Sequence, residues 1–266
     1  MSAKQQEKAA SALDLVGRSA IVTGASRGIG EAILRALADL GVNVVGVGRN
    51  FPADWWKQIS NPEGVAVEVG DVTSPQTAQN ALKTCLDKFG KVDILVNNAG
   101  IAMATNIVNL KMDDWDKLMD TNLNGYVHFC REVVPEMVKQ KKGGSIVNIS
   151  SVAATLVEAG LLAYATTKGA IISFTRGLAI DLAPHQITAN AIAPGWVRTQ
   201  MGAAQFTEKQ LSVVNERIPL GRIASTDEIA GTAVFLCSGL SRYITGQVIT
   251  VDGGETCEGT IKGIEY

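Results

Sequence analysis

Short apolar runs alternate with longer segments of helical periodicity along most of the chain, and this alternation limits the possible folds more than any other feature. The runs are residues 19–22, 42–47, 65–69, 94–96, 145–149, 188–192 and 248–251. The helical segments are residues 31–40, 75–89, 115–140, 163–182 and 226–236. Because the runs are apolar on both faces, they are typical of buried parallel strands. We therefore predict an α/β protein with one doubly wound parallel sheet of about seven strands and helices on both faces.

Charge, histidine and cysteine content exclude several classes of protein. Lys and Arg number 24 against 26 Asp and Glu, a formal net charge of -2, so we expect no nucleic-acid partner. The 2 histidines and 4 widely separated cysteines lack the spacing of metal ligands, and we predict no metal site and reduced thiols. No secretory signal and no apolar run of about 18 residues is visible. We expect a cytoplasmic protein without membrane contact.

A glycine-rich turn lies between the first predicted strand and the first predicted helix. Gly24, Gly28 and Gly30 have the spacing G-x-x-x-G-x-G. Glycines permit a tight turn and let the backbone approach a pyrophosphate at the N-terminus of the helix. Glycines also serve in purely structural turns. The position of this turn after the first strand nevertheless predicts a Rossmann-type, dinucleotide-binding domain.

The end of the second predicted strand bears on the choice of cofactor. Gly48 and Arg49 stand where NAD-binding domains usually carry a carboxylate for the ribose 2′-hydroxyl. Arg49 and Arg27, from the glycine turn, could together hold a 2′-phosphate. We therefore predict NADP(H) in preference to NAD(H). The alternative is that Arg49 is an ordinary surface charge.

Further motifs follow along the chain. In chain order the motifs are Thr23–Gly30, Asp71-Val72, Asn97-Asn98-Ala99-Gly100, Asn122, Ser151, Tyr164-x-x-x-Lys168, and Pro194-Gly195 with Thr199. In this order they resemble the classical short-chain dehydrogenases/reductases, and the resemblance runs from about Gly17 to Gly254. The resemblance implies that these residues bind the cofactor: Gly24, Ser26, Arg27, Gly28, Ile29, Gly30, Arg49, Asp71, Val72, Asn98, Ala99, Gly100, Tyr164, Lys168, Pro194, Gly195, Val197 and Thr199.

The resemblance also implies where these residues lie along the cofactor. Asp71 and Val72 are expected beside the adenine, and residues 98–100 along the middle of the cofactor. Pro194, Gly195 and Val197 are expected to border the nicotinamide, and Thr199 to hydrogen-bond its carboxamide.

The catalytic residues are expected to be Asn122, Ser151, Tyr164 and Lys168. Tyr164 and Lys168 are four residues apart and share one face of a predicted helix, although such pairs also occur as simple packing contacts. A nearby ammonium favours the phenolate form of tyrosine, whose ordinary pKa is about 10, and so lets Tyr164 transfer protons. Ser151 can donate a hydrogen bond to a substrate oxygen. The resemblance adds that Lys168 holds the nicotinamide ribose and that Asn122 supports a water relay.

We predict a flexible N-terminal extension over residues 1–14 and a single dinucleotide-binding catalytic domain over residues 15–266. Residues 199–219 are expected to form a mobile lid or, alternatively, a plain surface helix. The resemblance implies a homotetramer or homodimer, formed through the helix at 115–140 and the segment 246–254.

The leading hypothesis is an NADP(H)-dependent carbonyl reductase that interconverts a ketone and a secondary alcohol of a small-molecule substrate. One alternative is an NAD-linked alcohol or polyol dehydrogenase. Another is a 3-oxoacyl-(acyl-carrier-protein) reductase, for which Lys139, Lys141 and Lys142 could dock the carrier, although His185 stands near where such reductases often carry an arginine. A non-catalytic cofactor sensor is a further alternative, which the complete Asn–Ser–Tyr–Lys set disfavours.

Overall fold

The computed structural model describes residues 13–202 and 206–257, and these residues contain one seven-stranded sheet in the order β3-β2-β1-β4-β5-β6-β7. All adjacent strands are parallel. The strands are β1 (Ser19–Thr23), β2 (Asn43–Gly48), β3 (Val65–Val69), β4 (Ile94–Asn97), β5 (Gly144–Ile149), β6 (Ile187–Pro194) and β7 (Val248–Val251). The predicted α/β class and the single parallel sheet are therefore confirmed.

Seven α-helices lie in the described part of the chain. They are α1 (Gly28–Asp39), α2 (Pro75–Phe89), α3 (Met112–Met119), α4 (Gly125–Gln140), α5 (Leu162–Leu182), α6 (Glu208–Asn215) and α7 (Thr226–Cys237). The segment predicted as one helix at 115–140 covers most of α3 and all of α4, which are joined by a π-helical turn at Asp120–Asn124. None of the helices in the described residues is both long enough and apolar enough to cross a membrane.

Two apolar cores cover the two faces of the sheet. Alternate strand residues such as Val22 and Val44 pack against α1 and α7 on one face. Their neighbours Ile21 and Val45 pack against α2, α4 and α5 on the other face. Because successive side chains of a strand point to opposite faces, a strand covered on both sides must be apolar throughout. This requirement explains why the strands appear in the sequence as continuous apolar runs.

The strand order places a crevice at the carboxyl ends of β1 and β4. The chain winds outward from β1 to β3 in one direction and from β4 to β7 in the other, so β1 and β4 flank the point of reversal. Open parallel sheets bind ligands in the crevice at this point. The turn Thr23–Gly30, called the glycine turn below, leaves β1 at this position.

Several predicted features lie partly outside the described residues. Residues 1–12 of the predicted extension, residues 203–205 of the predicted lid and the tail from residue 258 are among them. The described part of the predicted lid contains α6. All 4 cysteines are described and free, and Cys257 is the exposed one.

Candidate active site

The glycine turn is fastened to the end of β4 by Thr23. The Thr23 hydroxyl Oγ1 accepts hydrogen bonds from the backbone N–H groups of Asn98 (2.9 Å) and Ala99 (3.1 Å). In return, Asn98 Nδ2 donates to the Thr23 carbonyl at 2.9 Å. These bonds fix the two strand ends that flank the crevice, and they commit the Asn98 side chain to holding the scaffold.

The glycines of this turn are required by close packing and by backbone conformation. A Cβ on Gly24 would lie 2.8 Å from Asn98 Nδ2, and a Cβ on Gly30 only 2.3 Å from the Gly24 carbonyl oxygen. Gly28 has a φ of +63°, in the left-handed region, and faces Thr199 across the crevice. No side chain caps the N-terminus of α1. The first N–H groups of the helix are therefore available to bind an anionic group.

The two candidate phosphate-binding arginines make different contacts. The Arg49 guanidinium, 64% exposed, lies 4.0 Å from the Asp71 carboxylate. Arg27 Nη1 instead donates to Gln200 Oε1 at 2.8 Å. Each guanidinium therefore has a different polar partner in this structure. Exposed polar pairs of this kind contribute little stability, so both guanidinium groups can turn toward a bound anion at small cost.

Three further predicted cofactor-binding residues lie near the end of β2 or beside Arg49. Ser26 packs over Gly48, where a Cβ would lie 3.2 Å from the Ser26 side chain. The Asp71 Oδ1 atom accepts hydrogen bonds from the backbone N–H and the hydroxyl of Thr73. Val72, the next residue, is buried against Gly125. The Asp71–Val72 turn therefore has a fixed shape beside the exposed Arg49.

Ser151, Tyr164 and Lys168 are brought together at the end of β5 and the start of α5. Ser151 Oγ accepts the backbone N–H of Ala153 at 3.1 Å, which leaves the serine hydroxyl hydrogen free to donate. Burial raises the pKa of Tyr164, and hydrogen bonding by the neighbouring Ser151 side chain opposes part of that rise. Lys168 Nζ lies 5.6 Å from the centre of the Tyr164 ring and donates to the Ile149 carbonyl at 2.8 Å. The predicted shared face of α5 is thus present.

Burial dominates the ionisation of this group. Desolvation raises the pKa of Tyr164 above its ordinary value, against the opposing effect of Ser151. It also lowers the pKa of Lys168 to about 7, because the ammonium is almost fully removed from water. The sequence predicts a tyrosine pKa lowered by a charged lysine. In this structure the lysine is itself only partly charged near neutrality, and the pKa of Tyr164 is raised.

Asn122 lies fully buried in the π-helical turn. Its Oδ1 accepts the Ile101 N–H at 2.8 Å, and its Nδ2 donates to the Ile101 carbonyl and to Thr167 Oγ1. Gly100 separates this amide from the lysine: a Cβ there would lie 3.3 Å from Asn122 Oδ1 and 3.7 Å from Lys168 Nζ. Asn122 therefore supports the β4 loop next to Lys168.

The end of β6 forms the opposite border of the crevice. Pro194 ends the strand, and Gly195 packs on the turn after β7, where a Cβ would lie 2.8 Å from Asp252 Cβ. Val197 is buried and pairs with Ala224. Thr199 Oγ1 accepts the Gly202 N–H at 3.0 Å and lies opposite Gly28. These residues thus face the glycine turn across the crevice.

Three contributors near the site were missed from the sequence. Thr23 is the first residue of the glycine motif, and a hydroxyl at a strand end is a visible signal. Tyr126, whose hydroxyl donates to the Ile149 carbonyl at 3.0 Å, lies four residues after Asn122. Arg217 bonds Glu158 at 2.8 Å and approaches the buried Glu255 at 3.5 Å. No local pattern marks Arg217, because its partners are distant in the chain.

The lysines considered for carrier docking lie at the wrong edge of the sheet. Lys139, Lys141 and Lys142 precede β5, whereas Ser151 follows it. A strand of six residues spans about 20 Å. These lysines therefore lie near the amino edge of the sheet and do not flank the crevice of the same chain.

Comparisons with known proteins agree with this geometry. A family model described as Enoyl-(Acyl carrier protein) reductase matches residues 24–256. The chain is 38% identical over 247 residues to the 3-oxoacyl-(acyl-carrier-protein) reductase FabG of Vibrio cholerae serotype O1, covering 91% of this chain and 98% of the relative. The corresponding reductase of a Synechocystis species is 39% identical over 252 residues, covering 90% of this chain and 97% of the relative.

Solved structures show the same likeness. Aldohexose dehydrogenase of Thermoplasma acidophilum is 32% identical with a TM-score of 0.87, covering 95% of this chain and 99% of that one. A gluconate 5-dehydrogenase of Burkholderia cenocepacia, in complex with NADP and tartrate, is 34% identical with a TM-score of 0.83, covering 93% and 99%. The family match, the close relatives and the shared fold together show that this chain is an oxidoreductase of the classical short-chain dehydrogenase/reductase family.

Proposed function

We propose that this protein is an NADP(H)-dependent carbonyl reductase that interconverts a ketone and a secondary alcohol. The arrangement of Ser151, Tyr164 and Lys168 carries this proposal. It brings a hydroxyl donor, a phenol and a buried amine together in the crevice, where the nicotinamide end of a dinucleotide would lie.

The residues of the crevice fit a dinucleotide cofactor. Gly24 and Gly30 leave a close-packed turn that no side chain can occupy, and the uncapped start of α1 offers N–H groups to a pyrophosphate. Arg49 and Arg27 lie at the adenosine side, where they would bind a 2′-phosphate. Residues 194–199 would border the nicotinamide. When bound, the cofactor supplies or accepts the hydride.

Tyr164 would hold and transfer the proton at the substrate oxygen. During reduction its phenol donates a proton to the oxygen that develops negative charge, while the Ser151 hydroxyl donates a second hydrogen bond to the same atom. Lys168, in its charged form, favours the resulting phenolate. Asn122 keeps the β4 loop in place beside Lys168 and would support the path by which the proton is replaced.

We favour the reductive direction because NADP(H) enzymes usually act as reductases. A second candidate activity is the reduction of 3-oxoacyl thioesters on acyl carrier protein, which the reductase relatives at 37–39% identity favour. Because the lysines before β5 lie far from the crevice, such a carrier would need a different docking surface. The proposal also includes a cytoplasmic homotetramer and a mobile lid around α6.

The proposal is tested by titrating the purified protein with NADPH and NADH through nicotinamide fluorescence, followed by a panel of carbonyl substrates. The panel contains an acetoacetyl thioester, a keto sugar acid and a cyclic ketone. We expect NADPH to bind more tightly than NADH and at least one ketone to be reduced. Absence of binding by either nucleotide would overturn the proposal, and tighter binding of NADH would overturn the cofactor assignment.

A further inference from the structure

We propose that Tyr126 is a positioning residue for Lys168 and acts through the main-chain carbonyl of Ile149, to which both side chains donate. This inference rests on the proposed function, in which Lys168 supports the proton transfer by Tyr164.

The shared carbonyl belongs to the last residue of β5. Its oxygen accepts a hydrogen bond from Lys168 Nζ at 2.8 Å and another from the Tyr126 hydroxyl at 3.0 Å. A carbonyl oxygen has two lone pairs, so these two donors occupy both. Lys168 and Tyr126 are 4% and 1% exposed. Water therefore has little access to the Ile149 carbonyl oxygen and cannot readily replace either donor.

Tyr126 also bounds the space around the lysine. Lys168 Nζ lies 6.0 Å from the centre of the Tyr126 ring and 5.6 Å from that of Tyr164. Within the described part of the chain, the Ile149 carbonyl is the only hydrogen-bond acceptor of Nζ, and no carboxylate forms an ion pair with it. The direction of one carbonyl therefore decides where the amine lies, and Tyr126 holds that carbonyl.

The π-helical turn explains how Tyr126 reaches this position. Asn122 lies within the turn and Tyr126 in the first turn of α4, and both are buried. Asn122 holds Ile101, beyond β4, while Tyr126 holds Ile149 at the end of β5. One helical segment thus fixes the two strand ends on either side of Lys168. Such π-helical turns are frequent at functional sites.

The test is the variant Tyr126→Phe, which removes the hydroxyl and keeps the ring. Thr175→Val is the matched control, because it also removes a buried hydroxyl, one that lies within α5 and bonds Asn148 and Ile171 and not Ile149. We expect Tyr126→Phe to lower kcat for ketone reduction about three- to tenfold, the loss of one hydrogen bond, with less than twofold change in the Kd for NADPH. Thr175→Val is expected to lower thermal stability and leave kcat unchanged.

A second readout needs neither cofactor nor substrate. The pH midpoint for acetylation of Lys168 by acetic anhydride is measured by peptide mass spectrometry in the cofactor-free protein. Without the competing phenol, the carbonyl favours the charged amine, and we expect the midpoint to rise by about half a unit to one unit. Midpoints that coincide for wild type and Tyr126→Phe would overturn the inference, even if kcat falls. If wild type reduces no ketone, the proposed function fails, while the acetylation midpoints still decide the role of Tyr126.

Discussion

Replacing Arg49 by serine should remove most of the preference for NADPH over NADH. The Arg49 side chain is 64% exposed at the end of β2, and its guanidinium pairs with the Asp71 carboxylate at 4.0 Å. Because this contact is long and exposed, little stability depends on it. The loss should therefore appear in nucleotide binding and not in folding.

The expected size follows from the chemistry of the contact. A hydrogen bond between a guanidinium and a phosphate contributes about 1.5–3 kcal/mol, so Arg49→Ser should weaken NADPH binding by about 10- to 150-fold. NADH lacks the 2′-phosphate, so its Kd should change less than about threefold in Arg49→Ser. The main cause of that change would be the loss of the positive charge beside Asp71.

The assay is a fluorescence titration of each variant with both nucleotides. Arg222→Ser is the control, since Arg222 is similarly exposed but pairs with Glu228 at the start of α7. It should leave both Kd values unchanged. Equal weakening of NADPH and NADH in Arg49→Ser, or no change for NADPH, would refute the assignment of Arg49 to the 2′-phosphate.

Two further predictions concern the glycine turn and the buried lysine. Gly30→Ala places a Cβ 2.3 Å from the Gly24 carbonyl oxygen, so it should lower the free energy of unfolding by about 1–3 kcal/mol and abolish tight NADPH binding. Gly231→Ala, in open space on α7, is the control and should raise the free energy of unfolding by about 0.5–1 kcal/mol. Both values are measured by chemical denaturation. Equal behaviour of the two variants would contradict the packing account. Lys168→Met should abolish reduction yet stabilise the protein near pH 7 by as much as about 4 kcal/mol, because the folded protein lowers the pKa of Lys168 from 10.5 to about 7. Between about pH 7 and 10.5 the unfolded chain binds a proton on Lys168 that the folded protein does not bind. The stability of the wild type should therefore rise with pH across this range relative to that of Lys168→Met. Parallel pH–stability curves for the two proteins would contradict this account.

Local patterns predicted the sheet well. Each buried strand must be apolar on both faces, so its run is visible without knowledge of its neighbours. Gly24 and Gly30 are likewise visible because they lie between the first strand and the first helix of the pattern.

Features that depend on distant contacts could not be predicted in this way. The low pKa of Lys168 arises from burial beneath α4 and β5, and the spacing of residues in the sequence does not indicate this burial. Arg27 meets Gln200 across 173 residues of chain, so the sequence did not show that its guanidinium is engaged elsewhere. Lys139 is close to Ser151 in sequence, but the intervening strand carries it to the opposite edge of the sheet.

The central claim is hydride transfer to a ketone with proton transfer by Tyr164, and it is tested most directly with NADPH deuterated at the transferable position. Wild type and Tyr164→Phe are each incubated with this cofactor and the carbonyl panel, and the products are examined by mass spectrometry. We expect wild type to place deuterium on the carbinol carbon, and Tyr164→Phe to bind NADPH normally but form product at least about 100-fold more slowly. Product formed at the wild-type rate by Tyr164→Phe, or product without deuterium at that carbon, would contradict the account.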